Sequence, residues 1–502
     1  MTAPYSSEFS LIDLVLAQQR DMSAVERFSN FHDRSPGPRG DYRNLIPLTR
    51  PQAGEQFAFV VDLDRCSGCK ACVSACHSLN GLEENEMWRS VGTIVGDDAP
   101  YLQTVTSSCH HCVDPACAAG CPVLAYEKDP ETGIVRHLDD QCIGCQYCVL
   151  KCPYDVPKYS ASKGIVRKCD MCHSRLAVGE APACAQACPH EAIRIEIVSQ
   201  NAVRAVSTIP GARMVPGAFP STYTLPTTKY ESTKTIPEGT KPATLPRREH
   251  AHWPLVIMLL LSQAALGLHL VGSILHNAAL FDTGTAVLVA GLTASVFHLG
   301  RPLKAWRAFL GWRRSWMSRE ILAFSVYAKL AILAGLFPGS TSLTVSVLLM
   351  GVLSVACSAM IYVDTRREGW SAGAVFPSFL GTALLLGPTI GGAICGWTAP
   401  HYAPALALIA TIVRTTLFSW RWFRLLRTHS PALDLAPRFL ALNATLFVVS
   451  TVFSIFAIFN MAGNGPYWGT IACFSTIAGQ VIDRWLFFAA TPAPRMPGAL
   501  TA

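Results

Sequence analysis

The chain has 502 residues, of which 50% are hydrophobic and only 15% charged, and its formal net charge is +7. The charged fraction is low for a soluble protein. The positive charge does not indicate nucleic-acid binding, because the basic residues lie in short loops between apolar runs, as in membrane proteins. Residues 1–250 are polar and rich in cysteine, whereas 251–490 is a series of apolar runs.

Residues 1–55 are predicted to form an N-terminal extension. Apolar residues recur at roughly helical spacing over 9–31, which predicts an amphipathic helix. This helix packs either on its own domain or on a partner subunit. The extension has no twin arginine and no signal-type apolar core, so no targeting segment is predicted.

Sixteen of the nineteen cysteines form four groups of four. The groups are Cys66, Cys69, Cys72, Cys76; Cys109, Cys112, Cys117, Cys121; Cys142, Cys145, Cys148, Cys152; and Cys169, Cys172, Cys184, Cys188. The first and third have the ferredoxin spacing C-x2-C-x2-C-x3-C. Zinc sites use four ligands in total, and disulfide frameworks are typical of small secreted domains, so both fit less well. The count predicts four [4Fe–4S] clusters and electron transfer.

The cysteine groups repeat within 56–198, which predicts two double-cluster ferredoxin modules. Alternating stretches at 57–61 and 193–198 predict small strands around the cysteine loops. Residues 199–250 are rich in proline, threonine and serine and are predicted to be an extended linker. The predicted fold class is an α+β double ferredoxin-like domain followed by an all-α membrane bundle.

Eight apolar runs in 251–490 are each long enough to cross a bilayer. They are 253–274, 282–300, 319–337, 342–363, 374–394, 402–422, 438–460 and 466–489, followed by a C-terminal tail at 491–502. Arginine-bearing loops follow the second, fourth and sixth runs, whereas the opposite loops have no Lys or Arg. The positive-inside rule then predicts that the cysteine-rich domain faces the cytoplasm at a bacterial inner membrane. Alternatively, these arginines serve contacts with the iron–sulfur domain.

Three ionisable residues, His298, Arg301 and Glu320, lie where the second run ends and the third begins. Ionisable residues at membrane depth are costly and usually functional. An electron-transfer chain that ends at the membrane needs a lipid-soluble partner that carries two electrons and two protons. We therefore expect these residues to bind a quinone or quinol from the membrane pool. A structural capping network is the alternative. His269, Lys329 and Arg414 also lie within apolar runs.

Two sets of motifs resemble known subunits. CSGCKACVSAC at 66–76, CHHCVDPACAAGCP at 109–122, CIGCQYCVLKCPY at 142–154 and KCDMCHSRLAVGEAPACAQACP at 168–189 resemble the four-cluster electron-transfer subunit of the dimethyl sulfoxide reductase superfamily of molybdopterin oxidoreductases. HLGRPLKAWRAFLGWRRSWMSREI at 298–321 resembles the eight-helix anchor subunit of dimethyl sulfoxide reductase; YVDTRREGW and GQVIDRWLFF match less well, the latter with Gln480 where that family has glutamate. The chain therefore resembles a fusion of two subunits.

The resemblance implies which cysteines share a cluster, although spacing alone leaves a pairing of the first group with the second open. Site 1 is Cys66, Cys69, Cys72 and Cys188; site 2 is Cys76, Cys169, Cys172 and Cys184; site 3 is Cys109, Cys112, Cys117 and Cys152; and site 4 is Cys121, Cys142, Cys145 and Cys148. It also implies that no haem is bound.

The expected function is that of a non-catalytic subunit, because no molybdopterin-sized domain or nucleotide loop is visible in the sequence. It would pass electrons between a membrane quinone and a separate molybdopterin catalytic subunit. That partner is either a quinol-oxidising reductase or a quinone-reducing dehydrogenase, such as a sulfite dehydrogenase. The alternative is a stand-alone membrane ferredoxin relay.

Overall fold

The computed structural model describes residues 44–84, 86–96, 101–243, 247–248, 253–395, 437–458, 465–489 and 491–497, with isolated helical positions at 26, 408–409, 412–413, 415–420 and 423. The predicted N-terminal helix at 9–31 lies outside the described residues apart from Glu26. Most of the sixth apolar run, including Arg414, also lies outside them.

Short strands frame the cysteine-rich half. In chain order they are β1 (Glu55–Asp62), β2 (Ser90–Val95), β3 (Leu102–Ser107), β4 (Tyr126–Lys128), β5 (Val135–His137), β6 (Lys158–Ser160), β7 (Ile165–Arg167) and β8 (Ile193–Ser199). β1 pairs antiparallel with β8, which confirms the strands predicted at 57–61 and 193–198. The pairs β2–β3, β4–β5 and β6–β7 are antiparallel hairpins.

Short helices follow the cysteine loops. They are α1 (Ala71–Leu79), α2 (Ala116–Gly120), α3 (Tyr147–Lys151), α4 (His173–Ala177) and α5 (Ala183–Gln186). The first and third cysteine groups have the same backbone turn before their helices: Gly68 and Gly144 have φ of 75° and 71°, and Lys70 and Gln146 have φ of 63° and 59°. Left-handed backbone favours glycine at two of these positions. The sequence repeat is therefore also a repeat of loop conformation.

The segment at 199–243 is packed on the iron–sulfur domain, whereas the sequence predicts an extended linker. It contains α6 (Gln200–Ser207), β9 (Lys229–Glu231) and β10 (Lys241–Pro242). β9 pairs in parallel with β1, and β10 pairs with β2. Such short pairings use backbone groups, so they leave no periodic pattern of side chains to read from the sequence.

Long helices make up the second half. They are α7 (Trp253–Ile274), α8 (Ala278–Val296), α9 (Trp316–Leu336), α10 (Thr341–Val363), α11 (Ala372–Ile394), α12 (Pro437–Ile458) and α13 (Gly465–Ala489). Within the described ranges, six helices are long and apolar enough to span a membrane. α9 is not among these six; it carries Arg319, Glu320 and Lys329.

The first long helix lies at the centre of the bundle. α7 packs against α8, α10, α11 and α13, and 83% of its most apolar window is buried inside the protein. It meets α11 at a pair of glycines, because a Cβ on Gly267 would lie 2.7 Å from the Cα of Gly387.

At the two ends of the membrane part, β11 (Arg247–Arg248) pairs with β12 (Pro492–Ala493). Both ends therefore lie on the same side of the bundle.

Candidate electron-transfer path and membrane junction

Site 1 surrounds a small cavity, which all four of its cysteines line. The backbone N–H of Ala192 donates to the Cys188 sulfur at 3.3 Å, and the Thr106 hydroxyl oxygen lies 3.6 Å from the Cys72 sulfur. Cys69 is exposed, the only one of the sixteen predicted ligands, all of them described, with that degree of exposure. Site 1 is therefore the site that opens most directly to the surface.

Site 3 surrounds a second small cavity, and among the residues that line it are its four cysteines, Lys168, Tyr154 and Thr224. Burial, with the neighbouring Cys109 thiol as a further cause, raises the pKa of Cys152 to about 11. The β4 residue Lys128 donates to the carbonyls of Cys112 and Val113 at 3.3 and 2.9 Å. These contacts fix the loop that carries the first two ligands.

The cysteines of sites 2 and 4 also lie together. Burial raises the pKa of Cys172 to about 12, with the nearby Cys184 thiol as a further cause. Burial also raises the pKa of Cys76, with the Cys169 and Cys184 thiols as further causes. In site 4, burial raises the pKa of Cys148 well above its usual value, and the other three cysteines of the site raise it further. The structure thus brings together each of the four quartets that the resemblance implies.

The donor set fits iron–sulfur clusters. Each quartet is made of thiols alone, and backbone N–H groups donate to several of the sulfurs, at 3.2 Å for Ala125 on Cys121 and at 3.4 Å for Met171 on Cys169. Metal binding would remove the thiol protons that burial retains. No group of three or more His, Cys, Asp or Glu within the described ranges could hold a single metal ion. A [4Fe–4S] cluster does not need such a group, because each thiolate binds a different iron.

The four sites follow one another through the domain. Cys72 of site 1 lies near Cys184 of site 2, and Cys169 of site 2 lies near Cys109 of site 3. Between sites 3 and 4, burial and the adjacent thiols of Cys148 and Cys117 raise the pKa of Tyr126. The arrangement is a series from site 1 to site 4.

Site 4 lies directly on the membrane half. A Cβ on Gly300, which follows α8, would lie 2.1 Å from the Gly164 carbonyl oxygen, and one on Gly144 would lie 2.9 Å from the Gly300 Cα. The backbone N–H of Arg301 donates to the Ile143 carbonyl at 3.0 Å. Only glycine allows this approach, which explains the glycine in the HLGRP part of the motif.

A second contact joins the loop before α9 to the other side of site 4. The backbone N–H of Gly311 donates to the Pro122 carbonyl at 2.8 Å, and the Ser315 hydroxyl donates to the Gly120 carbonyl at 2.6 Å. A Cβ on Gly311 would lie 2.7 Å from that Pro122 oxygen. The segment at 300–315 is therefore shaped to the loop that carries Cys121.

A third contact joins α3, which carries Cys148, to the end of α10. The Lys151 ammonium lies 2.5 Å from the Asp364 carboxylate. The Tyr147 hydroxyl donates to the Ile361 carbonyl at 3.2 Å, and the buried Arg367 donates to the Leu150 carbonyl at 3.2 Å. Sequence reasoning missed Tyr147, Lys151 and Asp364 as junction residues, because each is unremarkable until the two halves are brought together.

Several basic residues of the loop after α8 contact the iron–sulfur domain. Arg301 donates to the Asp139 carbonyl at 2.8 Å, and Lys304 and Arg307 each donate to the Asp140 carbonyl at 2.9 Å. The basic residues used for the positive-inside argument therefore have a second role, which is the alternative left open by the sequence.

The three residues predicted to bind quinone have different surroundings. His298 is half-buried and its Nδ1 bonds with the Ser295 carbonyl, while Arg301 is directed to the iron–sulfur domain. Glu320 is buried in α9 at 5% exposure. Its Oε1 has no hydrogen-bond partner among the described residues, and Ser358 and Tyr362 lie beside its carboxyl group.

Sequence reasoning also missed a polar cluster around Arg484, which is fully buried in α13. Its guanidinium donates to the Gln263 side-chain oxygen at 2.8 Å and to the Thr382 hydroxyl at 3.0 Å, and it lies 4.4 Å from the centre of the Phe379 ring. Its position in the last apolar run is the available signal, since arginine at membrane depth is rare.

His269 is a satisfied core residue in the bundle. Its Nδ1 lies 2.7 Å from the Tyr327 hydroxyl, and its Nε2 lies 3.1 Å from the Thr285 hydroxyl. Both ring nitrogens are thus occupied, so this histidine is a poor candidate for a haem ligand.

Comparison with known proteins identifies both halves. The model of the 4Fe-4S dicluster domain matches residues 101–197, and that of the DMSO reductase anchor subunit (DmsC) matches 248–490. The probable anaerobic dimethyl sulfoxide reductase protein YnfG of Escherichia coli strain K12 is 39% identical over 172 residues, which cover 31% of this chain and 83% of YnfG. The protein belongs to this dimethyl sulfoxide reductase family. It combines an iron–sulfur subunit with a DmsC-type anchor.

Two other relatives match the same iron–sulfur half of the fusion. The B subunit of the anaerobic dimethyl sulfoxide reductase of Haemophilus influenzae is 39% identical over 150 residues, covering 28% of this chain and 73% of its own. The hydrogenase-2 operon protein HybA of Escherichia coli O157:H7 is 36% identical over 173 residues, covering 29% of this chain and 52% of HybA. The fusion is therefore an electron-transfer iron–sulfur protein with its own membrane anchor.

Proposed function

We propose that the chain passes electrons between a membrane quinone or quinol and a separate molybdopterin catalytic subunit, through four [4Fe–4S] clusters. The observation that carries this proposal is the series of cysteine quartets, which begins at the exposed Cys69 and ends at Gly144 against Gly300 of the membrane half. Such a series connects a soluble partner at site 1 to a lipid-soluble partner near site 4.

The cluster count is tested by metal analysis. The anaerobically purified protein should contain about sixteen irons, since each of four clusters holds four, and little zinc. About eight irons, with zinc in the remaining sites, would contradict the proposal. Cys145→Ser should remove or convert one cluster, at site 4, and leave the other three detectable by electron paramagnetic resonance.

The quinone site is proposed near Glu320 and His298, on the side of the bundle that carries site 4. Its support is the buried Glu320 carboxyl, since a quinone needs hydrogen-bond partners and a route for protons. Glu320→Gln and His298→Ala should each abolish electron exchange with a quinol analogue while preserving the cluster signals and reduction by an artificial dye. Asp282→Asn, an exposed carboxyl near the other end of α8, is the matched control. Full quinone-linked turnover in both variants would exclude this pocket.

A molybdopterin partner is proposed because the anchor half matches the DMSO reductase anchor family and the iron–sulfur half matches the B subunit of a dimethyl sulfoxide reductase. The similarity to HybA indicates that the iron–sulfur half alone does not select the catalytic partner. Tagged protein isolated from its native membrane should bring down a large subunit and stoichiometric molybdenum. Isolation of the tagged protein alone, with full quinone reduction from soluble donors, would instead support the stand-alone relay.

The membrane part is proposed to cross a bacterial inner membrane eight times and to bind no haem. Pairing of β11 with β12 puts both ends on one side, which requires an even number of crossings. Seven long helices lie within the described ranges, so an eighth crossing within 396–436 would satisfy this requirement. The iron–sulfur domain is proposed to face the cytoplasm, on the same side as these ends.

A further inference from the structure

Two cations are buried inside the iron–sulfur domain, between cysteine quartets. Arg89 is 2% exposed and Lys168 is 3% exposed. Among the residues that the structure describes, neither forms a salt bridge with a carboxylate; their close partners are hydroxyl, carbonyl and sulfur atoms. A buried charge without a carboxylate is costly, so both need an explanation.

Arg89 lies between sites 1 and 2. Its guanidinium donates to the hydroxyls of Thr106 and Ser108 at 3.2 and 2.9 Å, and it is 4.7 Å from the centre of the Phe59 ring. The thiols that act on it electrostatically are those of Cys72 in site 1 and of Cys76, Cys169 and Cys184 in site 2. Neutral partners thus hold its charge in a fixed position between the two quartets.

Lys168 has the equivalent position between sites 2 and 3. Its ammonium donates to the Cys169 carbonyl at 2.8 Å and to the Val135 carbonyl, and lies 3.6 Å from the Cys109 sulfur. These three contacts match the three donors of an ammonium group. Lys168 also lines the cavity of site 3 and lies near Cys117 of that site and Cys169 of site 2.

We infer that Arg89 raises the reduction potentials of the clusters at sites 1 and 2, and that Lys168 raises those at sites 2 and 3. The inference rests on the proposed four-cluster function. Reduction adds one electron to a cluster without making or breaking a bond, and a nearby fixed positive charge in a poorly polarisable interior stabilises that added electron. Asp170, near Cys169, opposes this effect, but it is partly exposed and lies 3.3 Å from His173.

The two cations are not equally close to all four sites. Site 2 is adjacent to both cations, whereas the buried ammonium of Lys151, on the helix that carries Cys148 of site 4, is paired with Asp364 at 2.5 Å. Arg89 and Lys168 therefore make site 2 a favourable position for an electron in the middle of the series. Electrons entering from either end would be drawn inward.

Redox titration of the full-length protein, followed by electron paramagnetic resonance, tests this pattern. Lys168→Met should lower two of the four midpoint potentials, and Arg89→Gln should also lower two, with one cluster affected in both variants and one affected in neither. We expect each affected equilibrium to change at least tenfold, which is about 59 mV for a one-electron couple. Lys168→Arg, which keeps the charge, should restore the potentials toward those of the unmodified protein.

Lys163→Met is the matched control, because Lys163 is an exposed cation of the same domain and its loss should move no potential. If Lys168→Met loses iron, Lys168→Gln replaces it in the comparison. Four unchanged potentials in variants with full iron content, or a uniform shift of all four, would overturn the inference. An iron content well below sixteen in the unmodified protein would instead overturn the four-cluster proposal, so the two failures are distinguishable.

Discussion

Two glycines allow the membrane half to approach the loops of site 4 closely. Gly300 and Gly311 are both in the motif that resembles the anchor subunit, and each lies against the backbone of a site 4 loop. The sequence shows them only as part of that motif, and their reason for being glycine is visible only when the two halves are together. At this scale, the distance between site 4 and the bundle depends on the absence of two side chains.

Replacing Gly300 with Val should separate the halves at this point, because a Cβ there would lie 2.1 Å from the Gly164 carbonyl oxygen. Forcing extra atoms into a packed contact costs about 1–3 kcal/mol, and here the obstacle is backbone. We expect the variant to keep its iron and its dye-linked electron transfer but to lose most quinone-linked electron transfer.

Gly373→Ala is the control for this experiment, because no atom lies within 4 Å of a Cβ at that position. Quinone-linked rates and iron content should be measured on both variants in the same membranes. A Gly300→Val variant with an unchanged quinone-linked rate would show that the close approach is not needed for transfer.

Whole elements are predictable from the sequence where a periodic or compositional signal exists. Alternation predicts the strands around the cysteine loops, and six of the predicted spans are apolar helices in the structure. The packed segment at 199–243 is not predicted, because β9 and β10 are two or three residues long and pair through the backbone. The sequence selects all the cysteines of the candidate path, whereas Arg89, Lys168 and Arg484 need the structure.

An eighth crossing within 396–436 is the element that remains a prediction. Single cysteines for impermeant labelling, placed near 400 and near 430 in a protein that is otherwise protected, should be labelled from opposite sides of the membrane. The reason is that β11 and β12 pair on one side and the described long helices are seven in number. Labelling of both positions from the same side would contradict the eight-crossing arrangement.

The whole molecule combines a half that lies in water with a half that lies in lipid. Its first half holds cysteine quartets in series, and its second half holds a bundle with an arginine-bearing loop that contacts the iron–sulfur domain. Glu320 and Tyr362 are buried on the side of the bundle that carries site 4, and the quinone site proposed there would bring electrons and protons together at the junction. Because the iron–sulfur domain is held against one face of the bundle, the orientation of the bundle decides on which side of the membrane that domain lies.

A cytoplasmic location of both ends is expected from the arginine-bearing loops. A reporter fused after Ala502 should be active only if it is of a cytoplasmic type, and a periplasmic reporter there should remain silent. Arg301, Lys304 and Arg307 also bind the iron–sulfur domain, so a periplasmic result would leave that contact as the reason for these residues. Activity of the periplasmic type would reverse the topology.

The covalent link between the halves should be dispensable once the protein has folded. The junction is held by the Lys151–Asp364 ion pair at 2.5 Å, by Arg367 on the Leu150 carbonyl, and by the glycine contacts of site 4. A protease site inserted within 244–246 should therefore allow cleavage without release of the iron–sulfur domain from washed membranes. Asp364→Ala should permit release after cleavage, because it leaves the buried Lys151 charge without a carboxylate. The cost should be below the roughly 3–5 kcal/mol of a fully buried pair, because the Asp364 side chain is 35% exposed. The uncleaved Asp364→Ala variant is the control for folding. Release of the iron–sulfur domain from cleaved but otherwise unmodified protein would show that the covalent link itself holds this domain to the membrane.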